Sequence, residues 1–170
     1  MAKKKTKSLN NNILYLVAAV LGVVAVCMIF VAAFVVKDSG TGALSETYTG
    51  LQAVFGYSTE KADYLAFSFM NLLPYVLVIA GVVIAVLRFF GVAKNNIMDW
   101  VSVALFVVGG ILFFCTASFT ILSEGYNDLI KAANVIKTYV TTGLGAGPII
   151  AGICSILSGA TVVAKNLMKK

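Results

Sequence analysis

Asn71, Thr116 and Thr120 carry hydrogen-bonding side chains inside long hydrophobic runs, where an amide or hydroxyl has few other partners. Such groups either bond across to a neighbouring helix or line a polar pocket. Asn71 lies seven residues in from Tyr64 and Thr116 six in from Leu122, so the three are expected at one, outer, end of their helices. Pro74 cannot donate a backbone hydrogen bond and so frees a carbonyl nearby. The expected use is interhelical bonding, with a shallow outer polar pocket as the alternative.

Other chemistry has little material. Histidine is absent, and no charged residue stands deep in an apolar run, which removes the usual proton relays and imidazole metal sites. Cys27, Cys115 and Cys154 have no CxxC spacing and read as small packing residues, so no metal and no cofactor is expected. Asp63, Glu124 and Asp128 are isolated carboxylates. No HExxH, GxSxG or phosphate-binding glycine loop occurs, so no catalytic residue is assigned and the chain does not read as an enzyme. No glycosylation sequon is present, which fits a prokaryotic plasma membrane better than a eukaryotic cell surface.

The elements that would position these residues follow from composition. Of 170 residues, 60% are hydrophobic and 12% charged, more apolar than a water-soluble domain of this size carries. Four apolar runs, 13–36, 64–87, 100–122 and 144–164, are each long enough to cross a hydrocarbon core of about 30 Å. The expected fold is an all-α integral membrane protein, a four-transmembrane-helix bundle. Around the spans lie a basic segment 1–12, outer connections 37–63 and 123–143, an inner loop 88–99 and a basic tail 165–170. With both termini in the cytoplasm, the inner segments hold nine bases and one acid, Asp99, and the outer ones four lysines and six acids. The positive-inside rule selects that orientation. The first run is too long for the core of a secretory signal peptide, about 7–15 residues, and is read as an uncleaved span.

The outer connections have patterns of their own. Leu51, Ala53, Phe55 and Tyr57 alternate between Gly50 and Gly56, which predicts a strand or short hairpin. Over 127–142, Leu129, Ala133, Ile136 and Val140 share one helical face opposite Asp128, Lys131, Asn134, Thr138 and Thr141, which predicts an amphipathic helix. Together they offer either a partner surface, with Leu51, Phe55, Tyr57, Lys131 and Lys137 as its candidates, or a lid on the outer ends of the helices.

Small residues recur at every fourth position of the last run: Gly143, Gly147, Ala151, Ser155 and Gly159. In lipid, helices associate through close backbone approach, and such a stripe permits it. Partners stand ready as Ala18 and Gly22, Gly81 and Ala85, and the Gly109–Gly110 pair. The stripe packs the four helices together or forms a homo-oligomer interface.

The topology of four spans, both ends inside and a larger first outer loop resembles that of claudin-type tetraspan proteins. Of that family's first-loop signature only Gly50-Leu51 stands here, without its tryptophans and paired cysteines, so no function is carried over. The expected role is a non-catalytic membrane scaffold or accessory subunit. Its partners would be the lipid bilayer and either itself or another membrane protein, with no nucleic acid. An oligomeric pore is the alternative, weakened because Ser102, Thr116 and Thr120 are too sparse for a polar face.

Overall fold

The computed structural model describes residues 2–38, 44–60, 63–92, 95–128 and 140–168. Four helices are long and apolar enough to cross a membrane, which makes this a multi-pass membrane protein: α1 (Ala2–Cys27), α3 (Phe69–Phe89), α4 (Asn96–Phe114) and α6 (Ala146–Leu167). Between them run β1 (Ala32–Asp38), β2 (Leu44–Thr49), α2 (Gly50–Phe55), β3 (Tyr57–Ser58), β4 (Asp63–Ala66), α5 (Thr116–Phe119), β5 (Ile121–Leu122) and β6 (Val140–Leu144). The chain divides into two compact units. One comprises Met1–Val26, Pro74–Leu112 and Ala151–Lys170, and the other Cys27–Leu73 and Phe113–Ile150.

The helical unit closes around Phe106 of α4, which is fully buried. Glycines make room for that ring. A Cβ on Gly81 of α3 would lie 3.0 Å from Phe106 Cε1, and one on Gly22 of α1 would lie 2.9 Å from the same atom. On the opposite flank Ser155 of α6 donates to the Phe106 carbonyl at 2.6 Å, and a Cβ on Gly159 would sit 3.3 Å from Val107 Cγ2. Ser102 donates to the Gly81 carbonyl at 3.3 Å. Close helix approach and hydroxyl-to-carbonyl bonds replace the hydrophobic drive that lipid does not supply.

The second unit is built from two three-stranded antiparallel sheets, ordered β2-β1-β6 and β3-β4-β5. β1 is central, pairing Val35 with Thr47 on one side and with Gly143 on the other. Ala33, Phe34, Val35 and Val36 are all buried, the mark of a strand covered on both faces. Phe34, Val36, Tyr48, Leu65 and Tyr126 form this unit's core, with Tyr57, Tyr64, Ala117 and Leu122 packed against it.

Several sequence expectations change here. The architecture is mostly helical but not all-α, because the stretches between the long helices form two sheets. The run 13–36 is not one span: α1 stops at Cys27, a short 3-10 turn covers Met28–Phe30, and the rest is β1. A continuous apolar run does not distinguish a buried strand from a helix. Likewise the second run begins as β4 before α3, and the third ends at Phe114 before α5 and β5. Of the alternation at 51–57, Leu51 to Phe55 lie in α2, since Thr49 and Gln52 form a capping box that fixes a helix start, and only Tyr57 lies in a strand, β3. The amphipathic helix expected over 127–142 falls largely outside the described residues, and its last residues, Val140 to Thr142, belong to β6.

Candidate functional site

In the sheet unit, Glu46 projects from β2 two residues before Tyr48, so the two share a face of the strand. Its carboxylate accepts hydrogen bonds from the Tyr48 and Tyr126 hydroxyls, the latter at 2.7 Å. Both bonds fall on Oε2; Oε1 accepts none among the described residues. Burial, and then the bond to Glu46, push both phenols up, Tyr126 to about 12 and Tyr48 further, so both are neutral donors at ordinary pH.

Around this carboxylate the rings of Tyr48, Tyr57 and Tyr64 form a triangle. Their centroids lie 5.9 Å (Tyr48–Tyr57), 6.4 Å (Tyr48–Tyr64) and 5.8 Å (Tyr57–Tyr64) apart. Tyr126 meets Tyr64 edge-on at 5.2 Å. β3 and β4 set the spacing: Tyr57 pairs with Leu65, which places Tyr57 and Tyr64 at adjoining positions of the ladder. A cavity of about 250 Å³ opens here, lined by Glu46, Thr47, Tyr48, Tyr57, Thr59 and Tyr64. One carboxylate and three aromatic rings, with no base in the lining among the described residues, make a site suited to a cation.

Of the residues singled out in sequence, Tyr57 lies in this cleft. Leu51 is half-buried and Phe55 exposed on α2, while Lys131 and Lys137 lie outside the described residues. Glu46, Tyr48, Tyr64 and Tyr126 were not singled out. The available signal was tyrosine placement, since Tyr48, Tyr57, Tyr126 and Tyr139, four of the seven, fall in the connections and Tyr64 opens the second run.

Asn71 and Thr120 do come together. The Asn71 amide donates to Thr120 Oγ1 and to the Ala53 carbonyl, both at 3.0 Å. Thr116 turns back to its own chain, donating to the Phe113 carbonyl at 2.8 Å, and Thr120 donates to the Thr116 carbonyl at 2.9 Å. Asn71 Oδ1 is buried and has no partner among the described residues. These three therefore tie α3 to its neighbouring connections, with most of their capacity spent on backbone carbonyls.

The helical unit holds a second polar centre that the apolar-run reading missed by assigning Arg88, Asp99 and Lys165 to solvated loops and tail. All three stand within helices: Arg88 in the last turn of α3, Asp99 in the first turn of α4 and Lys165 in the last turn of α6. Asp99 is 0% exposed, Lys165 2% and Arg88 7%. Tyr15 of α1 completes the set, donating to Asp99 Oδ1 at 2.7 Å and accepting from Arg88 Nε at 3.2 Å and from Lys165 Nζ. Each long helix contributes one residue. Cations at helix C-termini and an anion at an N-terminus also suit the helix dipoles.

The small-residue stripe is divided between the two units. Ala151, Ser155 and Gly159 lie in the helical unit, the first two fully buried. Gly143 is in β6, and a Cβ on Gly147 would lie 3.0–3.1 Å from the carbonyl oxygens of Met28, Val31 and Ala32. Gly109 and Gly110 of α4 face in two directions, toward Val78 of α3 and toward Ile156 of α6. Cys27 is exposed, Cys115 and Cys154 are half-buried, and all are free thiols; among the described residues no group of three metal-ligating side chains gathers. Comparison of the chain with protein-family models, curated proteins and solved structures finds no match.

Proposed function

We propose that this chain is a non-catalytic scaffold or accessory subunit of a prokaryotic plasma membrane. Its helical unit anchors it in the bilayer, both termini lie in the cytoplasm, and the sheet unit is the outer recognition element. The partner is another membrane protein or a second copy of the chain. The observation that carries the reading is the cleft of Glu46, Tyr48, Tyr57 and Tyr64, a concave polar and aromatic surface on a folded module rather than on a plain helix connector. The charge distribution supports the orientation, since the segments assigned to the cytoplasm hold nine of the 13 bases. Dense packing around Phe106 disfavours a pathway through a single bundle.

The deciding measurement is the mass and composition of the assembly extracted from its native membrane into lipid particles. A stoichiometric complex with a second protein, or a defined homo-oligomer, is expected. A lone monomer would overturn the reading, and ion conductance by a purified homo-oligomer would replace it with an oligomeric pore.

A further inference from the structure

We infer that the Glu46–tyrosine cleft binds a methylated ammonium group, the cationic end of a small quaternary amine. The inference rests on the reading of the sheet unit as the recognition element and names what that unit recognises. The cavity, about 250 Å³, is smaller than the roughly 300–1,000 Å³ typical of pockets for drug-sized ligands, so it fits a small head rather than an extended molecule.

Its chemistry selects the charge. Ring faces attract a cation whose centre lies within about 6 Å of the centroid, and each additional face adds to the attraction. With the Tyr48, Tyr57 and Tyr64 centroids 5.8–6.4 Å apart, a cation about 4 Å above their plane is within about 6 Å of all three. Glu46 supplies the countercharge, the one carboxylate in the lining among the described residues, and its Oε1 is not committed to a hydrogen bond among them. The phenols of Tyr48 and Tyr126, protonated and turned to Oε2, hold that carboxylate in place. The wider field agrees: residues 27–73 and 113–150 contain six acids and four lysines.

A methylated ammonium is favoured over a plain one. A primary ammonium is strongly hydrated and needs acceptors for three N–H donors. Among the described lining the cleft offers one carboxylate oxygen without a hydrogen bond beside three tyrosine rings, which suits a cation that has methyl groups in place of donors. A guanidinium would want both carboxylate oxygens in a fork, and Oε2 is already taken by two phenols.

The test uses the full chain in lipid nanodiscs made only of phosphatidylglycerol, with ligand-observed saturation-transfer NMR of tetramethylammonium and choline. Both are expected to give a saturable signal. The neutral isostere 3,3-dimethylbutanol should bind at least tenfold more weakly, a comparison that requires no mutation. Glu46→Gln should weaken binding several-fold, and Tyr57→Leu should weaken it by tenfold or more with the remaining helices intact by circular dichroism. Repeating the titration in phosphatidylcholine nanodiscs separates two sources of the same group. Loss of the free-ligand signal there identifies a lipid headgroup as the occupant, and an unchanged signal identifies a solute; both support the inference. Equal binding of the neutral isostere, tighter binding of guanidinium, or no saturable signal overturns it. Such a result with the native assembly intact would leave the recognition reading standing, because that reading is judged by the composition of the assembly alone.

Discussion

Arg88 and Asp99, eleven residues apart on successive helices, meet in a two-pronged ion pair, with Nε 2.5 Å from Oδ1 and the second guanidinium nitrogen 2.6 Å from Oδ2. Lys165 adds a third contact to the same carboxylate at 3.3 Å. Breaking a buried pair from one side strands the remaining charge, at a cost of about 3–5 kcal/mol. Asp99→Ala should therefore lower the unfolding free energy in bicelles by that amount. Tyr15→Phe, which deletes only a hydroxyl, should cost about 1–3 kcal/mol. A wild-type unfolding curve for Asp99→Ala would show that the cluster does not hold the helices.

Ala151 and Ile150 are sequence neighbours in opposite surroundings, the first fully buried and the second 42% exposed. Ala151→Leu forces extra methylenes into a packed interior and should destabilise by about 1–3 kcal/mol, whereas Ile150→Leu should stay within about 0.5 kcal/mol. Gly110→Ala should behave like the first, because its Cβ would stand 2.7 Å from Ile156 Cγ1 and 3.1 Å from the Gly152 carbonyl. Equal thermal stability for all three would sink the packing argument.

Thr49 starts α2 by accepting from the Gln52 backbone N–H while the Gln52 side chain accepts from the Thr49 N–H. Thr49→Ala should cost about 1 kcal/mol and accelerate amide exchange over 50–55, with exchange elsewhere in the sheet unit less affected. Unchanged exchange in that segment would mean that packing alone fixes α2.

The two phenols on Glu46 predict an alkaline weakness. In the unfolded chain tyrosines titrate near 10. In the folded chain burial and Glu46 hold Tyr126 protonated to about 12 and Tyr48 beyond. The folded state thus binds these protons more tightly, and its advantage is complete below pH 10. From about pH 10 to 12 the unfolded chain sheds protons that the folded one keeps, so stability falls as pH rises. Stability followed against pH should show that decline, smaller in Glu46→Gln. A flat profile across the window would contradict it.

How much of this was legible in sequence depends on whether the signal is local. The four long helices show as apolar runs because crossing a bilayer demands them. The ends of the runs misled: Ala32–Val36 is as apolar as the helix before it, yet forms a strand whose partners lie at 44–49 and 140–144. At α2 the apolar alternation competed with the Thr49–Gln52 cap, and the cap prevailed. Charges at run ends resembled solvated flanks, because only the fold brings Tyr15, Arg88 and Lys165 to the Asp99 carboxylate. The tyrosine triangle is likewise assembled from three strands. By contrast Asn71 and Thr120, both polar in apolar surroundings, were legible and do meet.

The placement of β1 between β2 and β6 imposes an order on biosynthesis. A ribosome delivers the N-terminal end first, so β1 and β2 can pair early, while the other edge of β1 waits until residues 140–144 have emerged. Until then a strand apolar from Ala32 to Val36 exposes an unsatisfied row of backbone donors and acceptors, the condition under which strands capture wrong neighbours. The newborn chain is therefore most open to mispairing between completion of its second strand and arrival of its sixth.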